Sequence, residues 1–329
     1  MDPIERLPSD LGIAIFRYLS IHELAGCMLV SRRWYYALDG WAVLWKNIDM
    51  RFLPPRAETT VSTRLMRDQH LKVLARRAGP ALTRLAVFFA PLISDDGLAQ
   101  LAVFGCTNIR HFEVRATNGV SNAMLGALLP KIGALLEVVA LSTTDVADFA
   151  IQNLWVSSPR LRRLDVSHCR YITCDAFPVM SGGQVRFCHE SVGGRVQAAG
   201  SRLPALQSLN VTCCPQIDDR SVRRIGAAFG ATLQHIDMSL TRVTVLGLGA
   251  LAMAGGGRAT ALRDVGMRDI NFGGAGEVGR SLQLFAAAVP RLRRLAVCGE
   301  NDAVSDEFVC AVARQCRGLR DLDVHDSHR

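Results

Sequence analysis

The sequence lacks the features that mark membrane, secreted and strongly nucleic-acid-binding proteins. It has no run of about 18 uncharged apolar residues, which argues against a membrane span. The charged opening 1–6 has no signal-peptide core behind it, so a cytosolic or nuclear protein is expected. Aromatic residues make up only 6%, and no Lys/Arg-rich tract occurs. The net charge of +8 comes from arginines scattered in pairs, such as Arg162 and Arg163, which predicts a solvated surface and argues against nucleic-acid binding.

The cysteine pattern argues against disulfides and metal sites. Ten cysteines in a long chain without a signal peptide predict reduced thiols. The groups His168, Cys169 and Cys174, and Cys188 and His189, lack the paired CxxC spacing of zinc sites. No cysteine stands out as an activated nucleophile, so we expect no metal and no catalytic thiolate.

One motif imitates a cofactor site. Residues 274–279 read GAGEVG, which matches the GxGxxG loop of dinucleotide-binding folds, and Glu300 lies 21 residues further on (300 − 279). Strand, loop and helix alternate throughout this part of the sequence, so this context arises without a nucleotide. We therefore expect no cofactor. A nucleotide-dependent enzyme is the alternative, and it would require measurable dinucleotide binding.

The sequence does contain a regularly repeated pattern of apolar residues. The unit apolar-x-x-apolar-x-apolar occurs nine times, and successive units start 25 to 30 residues apart, except for one interval of 45 residues (206 − 161). One unit cannot bury its own apolar edge, whereas stacked units bury it in a continuous core. The units start at Leu82, Ile109, Leu136, Leu161, Leu206, Leu233, Leu262, Leu292 and Leu319.

This period is that of leucine-rich repeats, at or just beyond about 20–29 residues. Cys169 and Cys214 occupy equivalent positions, and the pattern resembles the cysteine-containing subclass of these repeats from Leu82 to Val324. The resemblance implies an α/β solenoid, a horseshoe with parallel strands inside and helices outside. An upstream half-repeat at 45–50 is expected to cap it. The long interval holds a Gly-rich insertion at about 181–201, either an inert loop or a partner-contacting one.

Residues 7–45 differ from the repeats and predict three short helices. Ser20 and Glu23 form a capping box for the second helix, with Leu19 and Leu24 at the staple positions. A unit of about 40 residues is too small to stabilise itself well, so some of its apolar side chains should meet a partner. The alternative is that all of them pack on the first repeat as a cap.

The spacing of these residues resembles the F-box. The match includes Leu7-Pro8, Val30-Ser31-Arg32 and Leu44-Trp45, and residues 45–50 resemble the family's transition into leucine-rich repeats. The resemblance implies a small all-α motif that binds a Skp-family adaptor. The residues predicted to form the motif or its adaptor contact are Leu7, Pro8, Ile15, Leu19, Leu24, Val30, Trp34, Leu44 and Trp45.

The two resemblances together imply three segments and a role without catalysis. These are an adaptor-binding motif at 1–46, a linker and cap at 47–81, and the solenoid at 82–329. The chain would be the substrate-recognition subunit of an SCF-type ubiquitin ligase, linked through the adaptor to a cullin and a RING subunit, and would direct a target protein to proteasomal degradation. Catalysis would be proximity supplied by a scaffold. The alternative is a repeat scaffold unconnected to ubiquitin.

The target is expected on the concave face, where alternate strand residues point outward. The centre of that face is polar and partly acidic, which predicts a groove for a polar or basic segment; a merely solvated sheet is the alternative. After the ninth strand no capping helix follows in this sequence, so an exposed edge open to self-association or to a covering partner is expected, with an incomplete sequence as the alternative. The predicted target-binding residues are Glu113, Arg115, Asp165, Asn210, Asp237 and Arg268.

Overall fold

The computed structural model describes most of the 329-residue chain. No helix within the described part is long and apolar enough to cross a membrane. The described residues are 3–50, 66–181, 184–187, 203–244, 246–247, 249–251, 261–269, 285–287, 289–297 and 306–324.

A single parallel sheet of ten strands organises the protein. It contains the predicted strand of all nine repeats and one strand from the upstream half-repeat, and these strands lie side by side in the order of the chain. The predicted leucine-rich-repeat solenoid is therefore confirmed. The strands are β1 Asn47–Asp49, β2 Arg84–Phe88, β3 His111–Arg115, β4 Val138–Ala140, β5 Arg163–Asp165, β8 Ser208–Asn210, β9 His235–Asp237, β10 Asp264–Gly266, β11 Arg294–Ala296 and β12 Asp321–Asp323.

Helices connect consecutive strands, and neighbouring helices pack against one another on the side of the sheet opposite its concave face. One hydrophobic core runs from Ile4 to Cys316, which is how units too small to fold alone share their burial. The connecting helices are α5 Asp68–Ala78, α6 Asp95–Val103, α7 Asn122–Ile132, α8 Asp148–Ser157, α9 Asp219–Phe229 and α10 Asp306–Gln315.

In the seven repeats whose turn residue is described, the chain leaves the strand through the same unusual turn. Seven residues after the start of a repeat, a residue other than glycine has a φ between 49° and 58°. This left-handed conformation costs an L-residue roughly 1–2 kcal/mol, so the stacking of neighbouring turns must stabilise it. The residues are Phe89, Ala116, Thr143, His168, Cys213, Leu240 and Asp269.

A ladder of side-chain caps joins successive repeats at the helix amino ends. The Asp95 carboxylate of α6 accepts bonds from the amide (2.7 Å) and hydroxyl (2.7 Å) of Ser121, which itself caps α7. Asp148 accepts the same two bonds from Thr173. Burial raises the pKa of Asp148, although these bonds oppose the rise. Each cap thus fixes the register of the next repeat.

The N-terminal helical unit, residues 3–45, has the three expected helices and one more. They are α2 Ser9–Phe16, α3 Ile21–Cys27 and α4 Arg32–Gly40, preceded by the short α1 Pro3–Arg6 and followed by a 3-10 helix, Ala42–Trp45. The capping box is present, since Ser20 and Glu23 exchange bonds. Gly12 lies against the Trp41 ring, where a Cβ would clash, so only glycine allows α2 to pack there.

The helical unit is fixed to the solenoid at Trp45. This side chain is fully buried, its indole N–H donates to the Leu38 carbonyl at 2.9 Å, and the Arg77 guanidinium lies 4.7 Å from its ring centroid. Asp39 of α4 pairs with Arg76 (3.1 Å) and Arg77 (2.7 Å) of α5. The unit therefore has a defined position relative to the first repeats.

The Gly-rich insertion leaves the sheet intact, because β5 pairs directly with β8. It replaces a repeat helix with a 3-10 turn, Cys174–Ala176, and a hairpin of β6 Val179–Ser181 and β7 Gln184–Arg186. Arg224 of α9 donates to the Cys174 carbonyl (2.6 Å) and pairs with Asp175 (2.7 Å). These contacts join the 3-10 turn at the base of the insertion to helix α9. Residues 188–202 lie outside the described part.

The cysteines at equivalent repeat positions pack in the core. The Cys169 and Cys214 thiols donate to the carbonyls of Leu141 (3.2 Å) and Val166 (3.1 Å). Burial raises the pKa of Cys214 to about 12 and that of Cys106 to about 11.

We therefore expect an alkylating reagent at about pH 8 to modify exposed Cys310 in the folded protein and to leave Cys106 and Cys214 unmodified. Thiolate is the reactive species, and both burial and the raised pKa suppress it. Mass spectrometry of digested protein, with a urea-unfolded sample as the control, measures this. Rapid modification of Cys214 in folded protein would contradict the core assignment.

Candidate interaction surfaces

The nine residues predicted for the N-terminal motif fall into two groups. Three are exposed or nearly so and could meet a partner directly: Pro8, Ile15 (55% exposed) and Val30 (64%). Leu7, Leu19 and Trp34 are half-buried. Leu24, Leu44 and Trp45 are buried, so they hold the unit together and cannot contact an adaptor in this conformation, which corrects the contact set.

Several exposed apolar side chains of this unit escaped the sequence analysis. Leu11 in α2 and Tyr18 just after it lie at helical spacing on either side of the predicted Ile15, and Leu29 is 87% exposed after α3. Their helical spacing is visible in the sequence, but the same spacing is equally typical of a helix face that is buried in a core. Only the packing of α2 against Trp41 reveals which face is left outside.

On the first half of the concave face, charged side chains form a continuous network. Arg84 bridges Asp49 (3.5 Å) and Glu113 (2.8 Å). Arg115 continues it to Glu113 (3.8 Å) and Asp165 (3.0 Å). Three of the predicted target-binding residues are thus brought together, but their charges largely satisfy one another.

Beside this network lies His111, on the row of concave residues that precedes the buried strand leucine. Burial lowers its pKa, and the nearby Arg84 adds to the effect. The Arg115 guanidinium lies 5.4 Å from the Phe88 ring centroid. This end of the face therefore combines a neutral imidazole, an aromatic ring and paired charges.

The second half of the concave face holds a polar cavity of about 590 Å³. It gathers the other three predicted residues, Asn210, Asp237 and Arg268. The cavity exists partly because Gly266 stands opposite Asp237, where a Cβ would be 2.6 Å from the carboxylate. Arg268 pairs with Asp323 across the cavity at 2.7 Å.

Asp237 is the carboxylate best placed to receive a ligand there. Its Oδ1 accepts bonds from the Ser239 amide (3.0 Å) and hydroxyl (2.6 Å), and it has no ion pair among the residues the structure describes. Asn210 Oδ1 accepts the equivalent amide bond from Thr212 at 3.0 Å. The side chain at this position of the repeat, Asp237 or Asn210, therefore fixes the end of its strand and also presents oxygen to the cavity.

Sequence reasoning missed four cavity residues, and a simple signal would have found them. Strand alternation places the residue before each buried leucine on the concave face too. His235 and Asp264 pair there at 2.6 Å, and Arg294 reaches Asp264 at 3.3 Å. Asp321 completes the row. The cavity is acidic, because four carboxylates and only two guanidinium groups line it. The prediction had left out the row of charged residues that precedes the buried strand residue.

Only part of the chemistry considered from the sequence falls within the described ranges. No group of three or more His, Cys, Asp or Glu side chains there could hold a metal ion. The pairing of Cys188 with His189 and the GxGxxG motif at 274–279 fall outside those ranges.

Comparison with known proteins gives a family for the first segment. Residues 4–51 match the F-box-like family. The solenoid resembles a chain of the yeast Rad7–Elc1 complex, with a TM-score of 0.58 and 16% identity over 79% of this chain and 60% of that one. This identity establishes the fold alone.

Two bacterial proteins give weaker structural matches. The internalin InlF of Listeria monocytogenes has a TM-score of 0.40 at 14% identity, over 78% of this chain and 62% of that one. The leucine-rich-repeat protein LegL7 of Legionella pneumophila has 0.43 at 12%, over 82% of each. The chain spans less than two thirds of the yeast protein and of the internalin. Residues 4–51 are an F-box-like segment, and the chain joins this segment to a solenoid of leucine-rich repeats.

Proposed function

We propose that the protein is the substrate-recognition subunit of an SCF-type ubiquitin ligase. Its F-box-like segment would bind a Skp-family adaptor, and its repeats would hold a target protein. The observation that carries this is the apolar surface left exposed on a segment that matches the F-box-like family. Exposed apolar side chains grouped in so small a unit favour a partner surface.

The attachment of the helical unit suits this role. Trp45 and the Asp39 ion pairs hold the adaptor-binding end in one orientation relative to the sheet. A bound target would then keep a fixed position with respect to the ligase, so proximity would provide the catalysis. The chain itself would supply no acid, base or nucleophile. The Rad7–Elc1 complex offers a precedent for a protein of this fold crystallised with a partner.

The target would bind in the acidic concave cavity through a polar or basic segment. Asp237 and Asp264 would attract such a segment, with Asn210 supplying hydrogen bonds. The second candidate function is a repeat scaffold without a ubiquitin ligase. A pulldown of the tagged full chain from lysate of its own source separates the two: recovery of adaptor and cullin supports the first, and their absence supports the scaffold.

Removing charge without disturbing the turns tests the concave face, with one carboxylate in the cavity, Asp237, and one in the neighbouring charged network, Asp165. In Asp165→Asn/Asp237→Asn the amide oxygen can accept the same turn bonds, as Asn210 already does for Thr212. We expect binding of a target identified by proximity labelling to fall roughly tenfold, since each lost charge–charge contact contributes about 0.2–1 kcal/mol or somewhat more when half-buried.

A matched control loses two carboxylates elsewhere. Asp10→Asn/Asp96→Asn changes the same net charge on exposed helix positions and should bind the target as the wild type does. Equal binding by the concave variant would move the target site away from the cavity.

A further inference from the structure

Arginines that are scattered in the sequence line up along one edge of the solenoid. The second residue of each unit lies immediately before its strand, and in the last three repeats that residue is Arg263, Arg293 and Arg320. Their backbones are hydrogen-bonded in register, since Arg293 N donates to Arg263 O and Arg320 N to Arg293 O. Neighbouring strands are about 4.8 Å apart, so the backbones of these three arginines lie within about 10 Å of one another.

Two more arginines extend the row just before these strands. Arg291 and Arg317 lie in the turns that lead into β11 and β12, and both are exposed. None of the five takes part in an ion pair with another described residue. We call Arg263, Arg291, Arg293, Arg317 and Arg320 the arginine edge.

Among the described residues, no carboxylate forms an ion pair with the arginine edge. The acidic residues next to it in the strands are Asp264 and Asp321. Asp264 is already engaged by Arg294 (3.3 Å) and His235 (2.6 Å). Like charges placed opposite one another in a ladder destabilise a sheet, so a free arginine edge costs the fold stability.

The favourable interaction of a cation with the carboxyl end of a helix explains the position of only some of these arginines. Arg317 follows the end of α10 at Gln315, where a cation is favourable. Arg263, Arg293 and Arg320, in contrast, belong to the strand entries and repeat at the strand spacing. A negatively charged partner would offset their mutual repulsion.

We propose that the arginine edge docks an acidic, Asp/Glu-rich segment of a partner protein. Guanidinium groups bind carboxylates in a bidentate manner, and a strand of about four extended residues spans Arg263 to Arg320. A nucleic acid would gain from aromatic side chains that stack on bases, yet no tyrosine or tryptophan follows Tyr171 in the sequence. This proposal goes beyond the proposed function, because it holds whether or not residues 4–51 bind an adaptor.

The test uses the full chain and a labelled peptide of about ten glutamates, longer than the edge requires. Fluorescence anisotropy at low salt should detect binding that weakens as salt is added. The variant Arg263→Gln/Arg293→Gln/Arg320→Gln should bind about tenfold more weakly, because three exposed charge pairs are lost. The corresponding triple Arg→Lys variant should recover part of the affinity.

A matched variant removes the same charge from the helical side. Lys131→Gln/Arg220→Gln/Arg223→Gln changes three exposed residues of α7 and α9 and should bind the peptide within about twofold of wild type. The edge variant should melt no lower than wild type, since a repulsive row is removed. Absence of peptide binding, equal binding by the edge variant, or tighter binding of single-stranded RNA through the same arginines would each overturn the proposal.

Discussion

Replacing Ile15 and Val30 together by Asp is expected to weaken adaptor binding by about a hundredfold or more. Both side chains are exposed, at 55% and 64%, in the segment that matches the F-box-like family. An apolar anchor at an interface centre contributes about 2 kcal/mol or more, and an unpaired buried charge adds a further cost. About 2.7 kcal/mol corresponds to a hundredfold.

The fold should tolerate this change, because neither side chain lies in the core. Thermal melting followed by circular dichroism should coincide with that of the wild type. Val103→Asp is the matched control: this side chain is 70% exposed on α6, outside the F-box-like segment, and the variant should bind the adaptor normally. Normal adaptor binding by the Ile15/Val30 variant would show that the exposed apolar surface has another purpose.

Replacing Trp45 by Ala should cause the largest loss of stability. Truncating a buried tryptophan typically costs about 3–5 kcal/mol, and here the indole bond to Leu38 is lost as well. Repeat proteins unfold in parts, so the first repeats and the helical unit should open before the rest. Urea unfolding monitored by circular dichroism should show an early transition absent from the wild type.

Two further variants identify the cause. Trp45→Phe keeps most of the ring packing and loses the N–H donor, so it should cost only about 1–2 kcal/mol. Tyr36→Ala removes an aromatic ring that is 71% exposed and should leave the urea midpoint unchanged. If Trp45→Ala kept wild-type stability while losing adaptor affinity, Trp45 would be a contact residue after all.

The sheet was the most predictable feature of the molecule. A leucine row with a constant period fixes which residues face the core, and stacking leaves one parallel register for them, from β2 to β12. The cap at Ser20 was equally predictable, and its hydroxyl accepts a bond from the first-turn amide of Glu23. The segment boundaries at 46 and 81 remain predictions.

What sequence could not supply was the spatial relation between distant residues. Trp45 and Ile15 are both large, apolar and at motif positions, yet one is enclosed by Leu38 and Arg77 and the other is exposed. The residues of the arginine edge appeared scattered because Arg263, Arg293 and Arg320 are separated along the chain by about one repeat, which stacking converts into adjacent strands. The short helix α1 has only four residues and too weak a period to be predicted.

The most direct measurement is the affinity of the purified full chain for a Skp-family adaptor from its own source, determined by isothermal titration calorimetry. The account predicts saturable binding, a negative heat-capacity change from burial of the apolar side chains of residues 4–51, and loss of that binding in Ile15→Asp/Val30→Asp. Failure of the folded wild-type chain to bind any such adaptor would contradict the ubiquitin-ligase function and leave the repeat scaffold.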